Sequence, residues 1–185
     1  YCHLKVPHFY IVTKYNNRCF NLVQMAKPSI ISGTINYGDQ MSDQISRKYR
    51  RVVTGHDAEG RAKVIIDDLI PNVSSGRPGQ GAHLIWTTEE LPVAFTSDSD
   101  DKGAREIGTT IENGSVFRIV EYAPGVSPRN HRTESIDYAV VISGEIEMGL
   151  DDGEQVHLKA GDVLVQRGTI HNWENNGAEP CVIAF

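Results

Sequence analysis

Two histidines in this chain are followed, at the two-residue spacing of an extended strand, by a second side chain able to touch a small molecule. In the run over residues 131–142, His131, Thr133 and Asp137 all fall on odd positions. If the run is a strand, the three share one face. His171 and Trp173 alternate in the same way over residues 171–174, just after the turn-like stretch Gln166-Arg167-Gly168-Thr169. An imidazole titrates near ~6.5, and a neighbouring carboxylate raises that value, so histidine and aspartate together can move protons at neutral pH. Histidine and carboxylate are also metal-ligand types. Arg167 could hold a substrate carboxylate or phenolate, although an outward arginine at a turn is the commoner use. Trp173 could wall an aromatic substrate or pack in the core. Thr133 could donate a hydrogen bond to substrate or to Asp137.

Competing signatures do not appear. There is no G-x-S-x-G, no G-x-x-x-x-G-K-[S/T], no C-x-x-C and no H-E-x-x-H; each of those spacings serves a specific chemistry. The glycine-rich stretch Gly76-Arg-Pro-Gly-Gln-Gly81 precedes a strand-like run, not a helix. No nucleotide cofactor is therefore expected.

The elements that must position these residues read as strands. Short β-branched or alternating runs cover residues 51–54, 62–66, 83–88, 115–122, 131–142, 145–150, 155–158, 163–166, 171–174 and 181–185. Turn residues separate them, at Asp57 to Gly60, Ser143-Gly144, Asp151-Asp-Gly153, Ala160-Gly161, Gly168 and Asn175-Asn-Gly177. Ile146, Met148 and Leu150 alternate with Glu145, Glu147 and Gly149, which implies one buried and one wet face. Short strands at this spacing indicate an all-β sandwich or barrel. Residues 89–114 interrupt the pattern with a Ser, Asp and Gly-rich stretch holding Asp98-Ser-Asp-Asp101. Stretches of this length are lids or solvated insertions, and the composition favours the solvated insertion.

With 185 residues, 39% hydrophobic and 23% charged, the chain is sized for one domain with appendages. Residues 1–48 hold six Lys/Arg against two Asp/Glu, whereas residues 49–185 hold twelve against twenty-two. The break implies a poorly patterned N-terminal extension, residues 1–48, ahead of a β domain, residues 49–185. The chain begins at Tyr1, and Met25 or Met41 could be a natural start, so the extension is read as non-native or as a docking segment. The net charge of −6, without a basic stripe, argues against nucleic acid. No run reaches the ~20 apolar residues of a membrane span, and no secretory leader is seen. The three cysteines, Cys2, Cys19 and Cys181, suggest no pairing. A reducing, cytoplasmic setting is the expectation.

Two of these stretches together resemble the paired motifs of the cupin superfamily. The first, G-x5-H-x-H-x3-E-x6-G, is matched in spacing by Gly125, His131, Thr133, Asp137 and Gly144. The second, G-x5-P-x-G-x2-H-x3-N, is matched by Gly161, Gln166, Gly168, His171 and Asn175, with one residue fewer before the Pro slot. The resemblance implies a double-stranded β-barrel, or jelly roll, with a central pocket in which His131, Asp137 and His171 meet. Residues 50–185 are similar to small cupins encoded near fungal and actinobacterial pathways to polyketides and aromatic metabolites.

Family members with the full motif bind a divalent metal through three His and one Glu. Here Thr133 stands in place of a His, Asp137 in place of the Glu, and Gln166 in place of the Pro. Two imidazoles and one carboxylate would still suffice for an open facial-triad site for Fe, Mn, Zn or Ni. Without metal they form an acid/base set. The resemblance thus implies a small-molecule enzyme, an oxidoreductase or metal-dependent oxygenase, with His131, Asp137 and His171 at its centre. Thr133, Gln166, Arg167 and Trp173 would contact the substrate. A metal-free lyase, cyclase or isomerase and a non-catalytic ligand-binding module stay open beside it. A homodimer is expected by the same resemblance.

Overall fold

The computed structural model describes residues 47–93, 95 and 100–185, all within the unit formed by residues 36–185. The expected extension over residues 1–48 therefore lies outside the described residues except for Arg47 and Lys48, as do Met25, Met41, Cys2 and Cys19. Among the described residues, alternation of β-branched and polar residues resolves into eleven strands: β1 (Arg50–His56), β2 (Ala62–Leu69), β3 (Val73–Ser74), β4 (Gln80–Thr88), β5 (Ser115–Tyr122), β6 (Ile136–Ser143), β7 (Glu145–Gly149), β8 (Gln155–Lys159), β9 (Val163–Arg167), β10 (Asn172–Glu174) and β11 (Cys181–Ala184). One 3-10 turn, Asp151–Gly153, links β7 to β8. The all-β expectation holds for every described residue.

All strand pairs are antiparallel, in a six-stranded sheet of order β3-β4-β5-β11-β6-β9, a three-stranded sheet of order β10-β7-β8 and the hairpin β1–β2. The inner faces of the two larger sheets meet. Val120, Tyr122, Ala139, Val141, Cys181 and Ile183 come from one, and Ile146, Met148, Leu158 and Trp173 from the other. Period-2 alternation built this core: Ile146 and Met148 are buried while Glu145 is exposed. The last strand, β11, inserts between β5 and β6, so distant segments must be in place before the sheet is continuous. Gly144, the closing glycine of the first motif, makes the turn from β6 to β7 at φ +77, where a Cβ would lie 2.6 Å from the Pro180 carbonyl oxygen.

The stretch expected as a solvated insertion is exposed over much of its described length, Leu91 and Phe95 included, and is held down at residues 101–105. Asp101 pairs with Arg51, the Lys102 carbonyl accepts from the Thr87 hydroxyl, and Asn72 donates to the carbonyls of Gly103 and Arg105. There its polar groups serve anchoring. Arg51 sits beneath it with its side chain 1% exposed, forked between Asp68 at 2.8 Å and Asp101 at 2.7 Å. Its chain neighbour Arg50 points the other way and pairs with Asp67 in solvent.

This contrast is testable by chemical denaturation. Arg51→Ala leaves two carboxylates facing a buried hole and should lower the unfolding free energy by about 2–3 kcal/mol, somewhat below the range for fully buried pairs because Asp68 and Asp101 keep partial exposure. Arg50→Ala, on the exposed side of the same strand, should leave it unchanged within error. Equal losses for the two variants would contradict the buried anchor.

Candidate active site

The residues matching the first motif keep a strand-like alternation even before β6 begins. His131, Thr133, Ser135 and Asp137 are each partly buried, whereas Arg132, Glu134 and Ile136 are exposed. The regular strand starts at Ile136, not at residue 131 as the pattern suggested. His131 is held instead by an isolated bridge to His171, whose backbones exchange both hydrogen bonds at 3.0 Å. This pairing puts the two side chains on one face. Their rings lie 4.2 Å apart between centroids.

Each imidazole is oriented in the same way. His131 Nδ1 lies 3.0 Å from the Arg129 carbonyl, and His171 Nδ1 lies 3.0 Å from the Thr169 carbonyl. A carbonyl oxygen only accepts, so each Nδ1 carries a hydrogen, and in the neutral ring Nε2 is then the atom with the lone pair. His171 is 4% exposed. Burial pulls its basicity below the ordinary imidazole value and the nearby His131 adds to the effect, while the Thr169 carbonyl and Asp137 oppose it. The site therefore offers a neutral, aimed base.

The remaining residues take separate places. Asp137 accepts from the Ser135 hydroxyl at 2.8 Å, and the same hydroxyl lies 2.9 Å from Thr133 Oγ1. Gln166, opposite Asp137 across β6 and β9, donates its amide N–H to the second carboxylate oxygen at 3.2 Å. A carboxylate accepts only, so the Gln166 amide oxygen points elsewhere; it is buried and has no hydrogen-bond partner among the described residues. Trp173, 2% exposed, stands edge-on to His171 at 5.7 Å and to Phe185 at 5.8 Å, with Tyr122 at 6.0 Å. It walls the histidines and packs in the core at once. Asn175 braces its turn through the Tyr122 and Glu179 carbonyls and the Gly177 N–H.

Arg167 alternates with buried Gln166 and is exposed, on the rim of a shallow surface depression of about 490 Å³ that Thr133, Ser135 and Gly168 also line. Among the described residues, no three His, Cys, Asp or Glu side chains stand close enough together to hold an ion as they are placed here. Each Asp137 oxygen already accepts one hydrogen bond, from Ser135 and from Gln166.

Sequence reading missed Ser135. Ser135 carries the same odd-position signal as Thr133 and could have been found by it. Cys181 is buried, its thiol pushed up to about 12 by desolvation, which removes it as a nucleophile. On the outer face of the six-stranded sheet, His83 pairs with Glu121 at 3.1 Å, both buried, with Tyr49 against the ring.

Comparison with known proteins agrees with this architecture. Residues 118–185 match the Cupin domain family. The cupin-domain-containing oxidoreductase fogC of Aspergillus ruber is 37% identical over 159 residues, covering 82% of this chain and 78% of that protein. This chain is a cupin. The cupin-domain-containing oxidoreductase virC of Hypocrea virens is 40% identical over 140 residues, 72% of each chain. Phomopsin biosynthesis cluster protein C' of Diaporthe leptostromiformis is 44% identical over 137 residues, 70% of this cupin and 71% of that protein. No helix among the described residues is long and apolar enough to cross a membrane.

The state of His171 has a consequence for stability. Its folded basicity lies below that of the unfolded chain, near ~6.5, so between the two values the unfolded chain binds more protons. Its contribution is fully present above about 6.5 and is lost as pH falls through the folded value. Melting temperatures from pH 8 to pH 5 should fall toward acid in the native protein and fall less in His171→Asn. Parallel profiles would contradict a buried neutral imidazole.

Proposed function

We propose that this cupin is a small-molecule enzyme acting on an aromatic or polyketide-derived metabolite bound between its two larger sheets, and that its reaction is an oxidoreduction in which dioxygen, taken up as co-substrate, accepts the two electrons and two protons that leave the metabolite. One observation carries the catalytic part: two adjacent imidazoles, each locked by a backbone carbonyl with Nε2 as the free lone pair, beside an aromatic wall. The names of the relatives fogC and virC, both cupin-domain-containing oxidoreductases, support the reaction type, and that of the phomopsin biosynthesis cluster protein supports a place in a biosynthetic cluster.

The residues perform a proton transfer. Trp173 and Phe185 stack against a planar ring and exclude water. The buried oxygen of Gln166 accepts a hydrogen bond from a substrate hydroxyl, which relieves its lack of a partner. Thr133 and Ser135 extend the same polar side. His171 Nε2 takes a proton from the substrate, and its depressed basicity keeps it ready for that role below the ordinary histidine range. His131 stands next to it to accept a proton in turn. Asp137, placed by Ser135 and Gln166, favours the imidazolium that forms.

A second reading uses the same pair of bases without a metal to move a proton within one substrate, as a lyase, cyclase or isomerase does. Incubation with candidate metabolites under dioxygen, followed by mass change, separates the two: oxidation by dioxygen removes two hydrogens, cyclisation or isomerisation leaves the mass unchanged, and a lyase gives fragments whose masses sum to that of the substrate. His131→Ala and His171→Ala should each lower kcat by at least about 10²-fold, with the circular-dichroism spectrum intact. Activity surviving dialysis against a chelator would favour the second reading. Binding with no chemical change in any metabolite, and no effect of either histidine variant, would leave a ligand-binding module and end the catalytic proposal.

A further inference from the structure

Arg118 is the charged side chain that the site description leaves unused. It lies on β5 in register with Leu84 on one side, and its backbone N–H and carbonyl pair with Phe185 on the other, at 2.9 and 2.8 Å. Its alternation partners Val120 and Tyr122 are both in the core, so Arg118 occupies the inner face of the six-stranded sheet. Across β11 that face continues to Asp137 on β6 and Gln166 on β9. One rim of the barrel interior thus carries Arg118, Phe185, Asp137 and Gln166 together.

The guanidinium is incompletely used. Its Nη2 donates to the carbonyls of Gly108 and Thr109, both at 3.0 Å. Nε and Nη1 have no hydrogen-bond partner among the described residues, and no carboxylate among them lies within ion-pair distance. Asp137 acts on Arg118 only from further away, while desolvation lowers its basicity. A half-buried cation without a counter-ion is costly unless an anion arrives to neutralise it. On the same face, with β11 and β6 between their strands, the buried Gln166 oxygen lacks a donor. The rim therefore asks for two complementary groups set apart from each other, an anionic oxygen for Arg118 and an O–H for Gln166. Phe185, paired with Arg118, supplies apolar surface, with Trp173 edge-on to it.

We infer that Arg118 is the anion-binding residue of the barrel and that the substrate class is an aromatic hydroxy acid or an equally acidic phenol, seated with its ionised oxygen on Arg118 and a hydroxyl on Gln166. This deepens the function proposed above and rests on its claim that the ligand lies between the sheets. Because Arg118 also holds the Gly108 and Thr109 carbonyls, it ties residues 100–114 to the mouth through which such an acid would enter.

The test uses 4-hydroxybenzoate, whose hydroxyl lies across the ring from the carboxylate, as the probe and its methyl ester as the uncharged control, titrated calorimetrically into the full chain. The acid should bind at least about tenfold more tightly than the ester, the size of a charge-assisted hydrogen bond. Arg118→Gln should abolish that difference by weakening the acid and leaving the ester unchanged, and Arg118→Lys should keep part of it. Gln166→Leu should weaken both probes, since both retain the hydroxyl. If Arg118→Gln does not fold, the acid-to-ester ratio in the native protein and the lysine variant still decide the matter. Equal affinity for acid and ester, no binding of either, or equal weakening of both by Arg118→Gln overturns the inference. His171→Ala should leave the ratio intact. Loss of turnover without loss of the ratio, or the reverse, then shows which of the two proposals fails.

Discussion

The site depends on one reciprocal pair of backbone hydrogen bonds, between His131 and His171. The two residues are 40 positions apart, one ahead of the six-stranded sheet and the other ahead of the three-stranded sheet. Because they exchange N–H and carbonyl as a directly opposed antiparallel pair, their side chains must leave on the same side. No other contact is needed to bring two imidazoles within ring-stacking distance. The carbonyls of Arg129 and Thr169, each two residues upstream, then choose the tautomer. The chemistry of the barrel is thus set by main-chain geometry first and by side chains second.

Around that pair, polar groups are sorted by the face they occupy. On the outer face, Arg51 is saturated by Asp68, Asp101 and the Ile85 carbonyl, and His83 by Glu121. Every charge there has a partner, which is the condition for burying it. The inner rim differs: the Gln166 oxygen and two nitrogens of Arg118 end without one. A buried group left incomplete, as the Gln166 oxygen is, is retained where a ligand completes it. The outer cluster has one such group too, the Tyr49 hydroxyl beside His83; what sets the inner rim apart is that a cation without an ion-pair partner and an unpartnered amide oxygen share one face.

The strand pattern was legible from alternation almost throughout, since a sheet covered on one face writes its burial into every second residue. Ser115 to Tyr122 emerged with the boundaries the pattern suggested, and the hairpin of β1 and β2 appeared where its turn residues placed it. The pattern misread residues 131–135 as strand because an extended, alternating segment need not have a continuous hydrogen-bonded neighbour. It also missed β3, whose two residues are too few to alternate. Residues 89–114 looked solvated because polar composition is the same whether a side chain meets water or anchors a carbonyl. Arg167 and Gln166 were both plausible contacts in sequence; one residue of register put Gln166 in the interior and Arg167 at the surface.

What the sequence by itself determined is the set of side chains sharing a face: His131, Thr133, Ser135 and Asp137 on one edge, His171 and Trp173 on another. Periodicity is a local property, so it survives without knowledge of the fold. Which of those side chains meet was decided only by tertiary structure, because it depends on strand order and on competition for hydrogen bonds. Tertiary structure drew Asp137 to Ser135 and Gln166. By inserting β11 between β5 and β6, it also brought Arg118 onto the rim that Asp137 and Gln166 already lined.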